Sequence, residues 1–108
     1  MELQSKACVP CQGGIPPLTL LEAKVFLEET PLWSLSEKGN RLRRSFNFKD
    51  FVEALEFVNK VGLLAEQEAH HPDISMGWGY VDIQIFTHKI DGLHENDFIL
   101  AAKIDTLK

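Results

Sequence analysis

The chain has 108 residues and a mass of 12.2 kDa, with an apolar fraction of 44% that is ordinary for one globular domain with one modest core. A net charge of -5 and a pI near 5.3 argue against a nucleic-acid binder, because neutralising phosphates needs a basic face. No apolar run approaches the roughly 20 residues that cross a bilayer, and Met1-Glu2-Leu3-Gln4 lacks the basic and apolar regions of a leader, so a cytoplasmic protein without membrane contact is expected.

Residues 1–16 read as an N-terminal arm, flexible or loosely docked, ahead of a domain spanning 17–108. Cys8 and Cys11 lie in it as Cys-Val-Pro-Cys-Gln-Gly-Gly. A redox pair would sit at a helix start after a strand and a zinc site would need four ligands, so reduced thiols are expected. Pro16-Pro17 and a Thr19 cap predict a short helix from Leu20 to Glu29, ending before Pro31. Trp33–Leu35 and Arg41–Phe48 then read as a hairpin turning at Lys38-Gly39-Asn40. Arg41, Arg43 and Arg44 form the basic cluster of the chain, expected on a solvated strand edge.

Asn47 followed three residues later by Asp50 resembles a capped helix start. The apolar set Phe51, Leu55, Val58, Gly62 and Ala65 predicts the face that packs on a sheet, and Pro72 ends the helix near Ala69. His70 and His71 emerge at that end, and the i,i+4 spacing places Glu66 to orient His70. A short strand over 74–77 and a Gly77-Trp78-Gly79 turn lead into a clear alternation, Val81, Ile83 and Ile85 against Asp82, Gln84 and Phe86. Extending that parity puts His88 on the polar side. A last helix starts at Asn96 or Asp97, with Phe98, Ile99, Ala102 and Leu107 as an imperfect apolar stripe.

Three of the four histidines fall between residues 70 and 88, and an unperturbed imidazole, with a pKa of about 6.5, suits proton transfer near neutral pH. Adjacent histidines also arise at helix ends merely to face unpaired carbonyls, but His88 lies far along the chain at a strand end, where pocket rims form. A metal site of His70, His71 and His88 is the rival chemistry, disfavoured because adjacent side chains rarely converge on one ion.

The stretch Glu66, His70-His71-Pro72, Trp78, His88, Asp97, with Trp33, the Arg43–Phe51 segment and Gly92-Leu93-His94-Glu95-Asn96-Asp97, resembles the pterin-4a-carbinolamine dehydratase family over about residues 20–105. The resemblance implies an α+β fold: a four-stranded antiparallel sheet with three helices on one face, in the order α-β-β-α-β-β-α. It implies an enzyme that removes water from 4a-hydroxytetrahydrobiopterin to give quinonoid dihydropterin, a homodimer or homotetramer that needs no cofactor or metal. On that basis His70, His71 and His88 are the candidate catalytic residues, with His71 and His88 leading, and Glu66 and Asp97 the carboxylates that orient them. Pro72, which would also hold the doublet's turn, Thr87, Lys89 and Trp33 are the candidate substrate-binding residues. Trp33 and Trp78 also suit packing, and His94 departs from the motif and is expected to be exposed. Some animal members bind a transcription factor, and pterin roles in molybdenum-cofactor metabolism use the same ring, so both stand as alternatives. The last helix, through Phe98 and Ile99, or a hairpin edge would supply the interface between copies.

Overall fold

The computed structural model describes residues 2–9 and 13–108. Helix α1 is Leu20–Leu27, opened by a capping box: the Thr19 hydroxyl accepts from the Glu22 amide at 3.2 Å and the Glu22 carboxylate accepts from the Thr19 amide at 2.9 Å. Strands β1 (Ser34–Leu35) and β2 (Leu42–Asn47) follow, joined by a turn in which Ser36 Oγ accepts from the amides of Asn40 and Arg41. Gly39 takes φ +72° there, and a Cβ would meet Leu20.

Helix α2 is Phe51–Glu68. Its cap is Asp50, whose carboxylate accepts from the Glu53 amide at 2.9 Å, whereas Asn47 is the last residue of β2. The buried face is Ala54, Phe57, Val61 and Ala65, one residue earlier than the expected set at three of the four positions. Phe51 and Leu55 are exposed. Both stripes are apolar, so periodicity alone could not choose between them.

Strands β3 (Asp73–Gly77) and β4 (Tyr80–Ile85) form the second hairpin, and α3 is Glu95–Asp105. The sheet runs β1-β2-β4-β3, antiparallel throughout, so β2 and β4 are interior. Leu42, Phe46, Val81, Ile83 and Ile85 face the helices and are buried, while Arg43, Ser45 and Asp82 point to solvent. The architecture is thus α+β, with all three helices on one face of a four-stranded sheet.

In the packing one expectation is refined and one changes. The arginine cluster sits on and beside β2, which β1 covers only at Leu42 and Arg43, and its side chains are engaged by partners as well as solvated. Arg44 pairs with Asp105, Arg43 Nε donates to Gln84 at 2.8 Å, and Arg41 lies 3.6 Å over the Phe86 ring and bonds Asp91. Helix α3 is buried from Asn96 to Ala102 and again at Ile104, so Phe98 and Ile99 belong to the interior of the protomer and are not free to form an interface between copies. That all-round burial explains the imperfect stripe. Among the described residues no helix is long and apolar enough to cross a membrane.

Candidate active site

The site begins where α2 stops. Ala69 adopts a left-handed conformation at φ 53°, the His70 amide donates back to the Ala65 carbonyl at 3.2 Å, and Pro72 prevents continuation. This reversal sends two identical neighbouring side chains in different directions. His70 turns inward, 8% exposed, and its Nε2 lies 2.6 Å from Asp97 Oδ1. His71 stays at the surface, paired through Nε2 with Glu66. Glu66 therefore partners His71, not His70 as its spacing indicated, because the helical i,i+4 geometry ends before the doublet.

Asp97, fully buried, accepts three hydrogen bonds: from His70 Nε2, from Thr87 Oγ1 at 2.7 Å, and from the His94 amide at 2.8 Å. A carboxylate can only accept, so Nε2 of His70 carries a hydrogen and Nδ1 is left as the ring nitrogen able to take a proton. Asp97 is also the third residue of α3, and His94 is the helix cap, its Nδ1 accepting from the Asn96 amide at 3.2 Å. His94 is accordingly half-buried with a structural task, in place of the exposure expected. The Thr87 hydroxyl, a candidate substrate contact by sequence, is committed to Asp97.

β4 ends at Ile85, so strand parity does not extend to His88. A single 3-10 turn, His88–Ile90, presents it instead. Its ring packs on Phe86 with centroids 4.1 Å apart, and its Nε2 is 3.7 Å from Asp73 Oδ1 at the start of β3. Asp73 was not singled out by sequence. It is brought there by the β3–β4 register, which pairs Asp73 with Gln84.

His70, His71, Thr87, His88 and Lys89 line one cavity of about 520 Å³, together with Gln67, Glu68, Ala69 and Cys8. Trp33 is not among them. It is 3% exposed in the core, edge-on to Phe46, and donates from Nε1 to Asp105 at 2.8 Å. Trp78, 71% exposed, caps the far end of the β3–β4 hairpin. Another cleft, of about 470 Å³ beside the start of α2, is lined by no histidine or cysteine. Among the described residues no group of three or more His, Cys, Asp and Glu side chains is arranged to hold a metal ion.

Cys8 places the N-terminal arm at the site, a contact the sequence did not announce. Its amide donates to Glu68 Oε1 at 2.8 Å, and burial, reinforced by Glu68, pushes its thiol up to about 12. Leu3 is buried and Cys8 half-buried, so the arm is anchored to the domain at these two residues. Cys11 lies outside the described residues.

Comparison with known proteins gives the family of the chain. The family model for pterin 4 alpha carbinolamine dehydratase matches residues 16–107. A Methylococcus capsulatus protein provisionally named pterin-4-alpha-carbinolamine dehydratase is 57% identical over 105 residues, covering 97% of this chain and 92% of the relative. One from Rubrobacter xylanophilus, named in the same way, is 55% identical over 106 residues, covering 98% of each. Among solved structures, one described as a transcriptional coactivator/pterin dehydratase from Brucella melitensis superposes with a TM-score of 0.78 at 32% identity, over 84% of this chain and 97% of that one. A pterin dehydratase-like protein identified as a RuBisCO assembly factor in the alpha-carboxysome gives 0.60 at 26% identity, over 69% and 87%. With a cavity built on three histidines and a family match across most of its length, the chain belongs to the pterin 4 alpha carbinolamine dehydratase family.

Proposed function

We propose that this protein dehydrates 4a-hydroxytetrahydrobiopterin to quinonoid dihydropterin and water, recycling a pterin cofactor in the cytoplasm, by general acid–base catalysis at the histidine cavity. One observation carries the reading: His70, His71 and His88 line a single cavity, and each has a carboxylate beside it, Asp97, Glu66 and Asp73 respectively. In the reaction the proton on the ring nitrogen next to the carbinol carbon leaves, the C–O bond breaks, and the departing hydroxyl takes up a proton as water. One neutral and one protonated imidazole serve both transfers, and a carboxylate hydrogen-bonded to an imidazole fixes its ring orientation. His71 and His88, exposed on the cavity, are the proton-transfer pair in this proposal. His70, locked by Asp97, binds the substrate or shares the work. Lys89 borders the pterin, whereas Trp33, sealed in the core, has no part in binding.

The test is dehydration of freshly generated 4a-hydroxytetrahydropterin, followed by ultraviolet absorbance. Wild type should accelerate it, and His71→Ala and His88→Ala should each lose about 10²-fold, the lower range for a positioned acid or base. Wild type no faster than buffer, or both variants at wild-type turnover, overturns the proposal.

A second reading, as a protein-binding module, has one observation in its favour. Phe51, Val52, Leu55 and Leu63 leave exposed apolar side chains along α2, running from beside its buried face to the far side, and a surface of that kind suits a protein partner or a second copy. The coactivator and assembly-factor descriptions of the two solved relatives point the same way. A partner retained by His71→Ala would support it.

A further inference from the structure

The described part of the N-terminal arm is held by the elements that build the histidine cavity. Lys103 Nζ donates to the Gln4 carbonyl at 3.0 Å, and Lys6 Nζ bonds Glu95 at 2.6 Å. At the arm's far end the Cys8 amide donates to Glu68 on the last turn of α2, and the Cys8 thiol lies 3.6 Å from the Asn96 carbonyl. The closing contact is a two-point clamp. Val9 N–H donates to Asn96 Oδ1 at 3.0 Å, and Asn96 Nδ2 donates to the Val9 carbonyl at 2.7 Å.

Asn96 is buried, 1% exposed, and neighbours Asp97 in the first turn of α3. The side chain that pins the arm thus sits next to the one that holds His70. Cys8 meanwhile lines the cavity alongside His70, His71 and His88. Its thiol stays protonated at neutral pH, so what it offers the cavity is a neutral, weakly polar surface and not a thiolate nucleophile or ligand.

We propose that Cys8–Val9 forms a wall of the pterin pocket, and that Asn96 is the positioning residue that sets this wall and thereby substrate affinity. The inference rests on the pterin reading above. A flat heterocycle bound against the histidines would have one side closed by a segment lying sixty residues away in sequence from α2's last turn. Two neutral hydrogen bonds hold that segment in register, so removing them weakens its docking by roughly 5- to 150-fold.

The experiment compares wild type with Asn96→Ala and with Val9→Pro, which removes one clamp donor and leaves α3 untouched. Steady-state dehydration of 4a-hydroxytetrahydropterin is measured beside hydrogen exchange of the 2–9 segment with and without 7,8-dihydrobiopterin. The expected result is a KM raised about fivefold or more in both variants with kcat within about threefold, and exchange of the segment slowed by the dihydropterin in wild type. Wild-type KM in both variants, with exchange indifferent to the ligand, overturns the wall while leaving the dehydratase standing. A fall in kcat at constant KM also overturns it, showing damage to the Asp97–His70 pair instead. Absence of both dehydration and dihydropterin binding in wild type sinks the pterin reading and this inference with it.

Discussion

Replacing Asp97 with asparagine would swap the buried acceptor at the centre of the site for a group of the same shape that both donates and accepts. The three hydrogen bonds it receives, from His70, Thr87 and the His94 amide, are charge-assisted. Each is then worth about 1.5–3 kcal/mol against about 0.5–1.5 for a neutral bond, so the exchange forfeits roughly 3 kcal/mol in all. Easier burial of a neutral amide returns part of this, leaving a net loss of about 1–2 kcal/mol and a fall in Tm of roughly 5–15 °C.

Geometry dictates how the amide settles. The His94 N–H cannot accept, so the amide oxygen must stay on it, and the amide nitrogen must face His70 Nε2. His70 then accepts at Nε2 and moves its hydrogen to Nδ1, the opposite of the wild-type tautomer. Long-range proton–nitrogen NMR of the His70 ring reads this directly, and urea denaturation reads the stability. Asp97→Ala serves as the contrast: three buried donors left without an acceptor cost about 3–9 kcal/mol, comparable to the whole stability of a small domain. An Asp97→Asn protein with unaltered His70 tautomer, or one destabilised by less than about 0.5 kcal/mol, refutes the reasoning, since a cost that small is below that of one charge-assisted bond.

Gly79→Ala should destabilise the protein by about 1–2 kcal/mol, because Gly79 sits at φ +81° and an added Cβ would lie 3.1 Å from the Phe48 carbonyl oxygen. Thermal melts check it, and an unchanged Tm contradicts the turn geometry. Cys8 makes a pH prediction. Its folded-state pKa is raised from 9.0 to about 12, so the unfolded chain loses the thiol proton first and stability should decline as pH rises from 9 to about 12. Below pH 9 the contribution is fully present. Cys8→Ala should flatten that part of the alkaline stability profile relative to wild type, and parallel profiles for the two proteins would show that the thiol is not protected.

Much of the fold was legible because its signals are short-range. The Thr19–Glu22 capping box, the turn at Gly39, the alternation through Val81, Ile83 and Ile85 and the stop at Pro72 each depend on residues within one turn or a few strand positions. The concentration of His70, His71 and His88, and the match to a known family, likewise came from the linear order.

What the tertiary structure alone decided were pairings and choices between equivalents. α2 carries two apolar stripes, and only packing on the sheet selects Ala54, Phe57, Val61 and Ala65 over Phe51 and Leu55. His70 and His71 are the same residue side by side. The left-handed turn at Ala69 makes one a buried partner of Asp97 and leaves the other exposed with Glu66. Asp73 reaches His88 through strand register, and Cys8 reaches the cavity through contacts with Glu68 and Asn96 at separations of 60 and 88 residues. Periodicity and capping are local properties of the chain and are written in it residue by residue. Register, docking and the inward or outward turn of a side chain come from contacts between distant segments, which exist only once the chain has closed on itself.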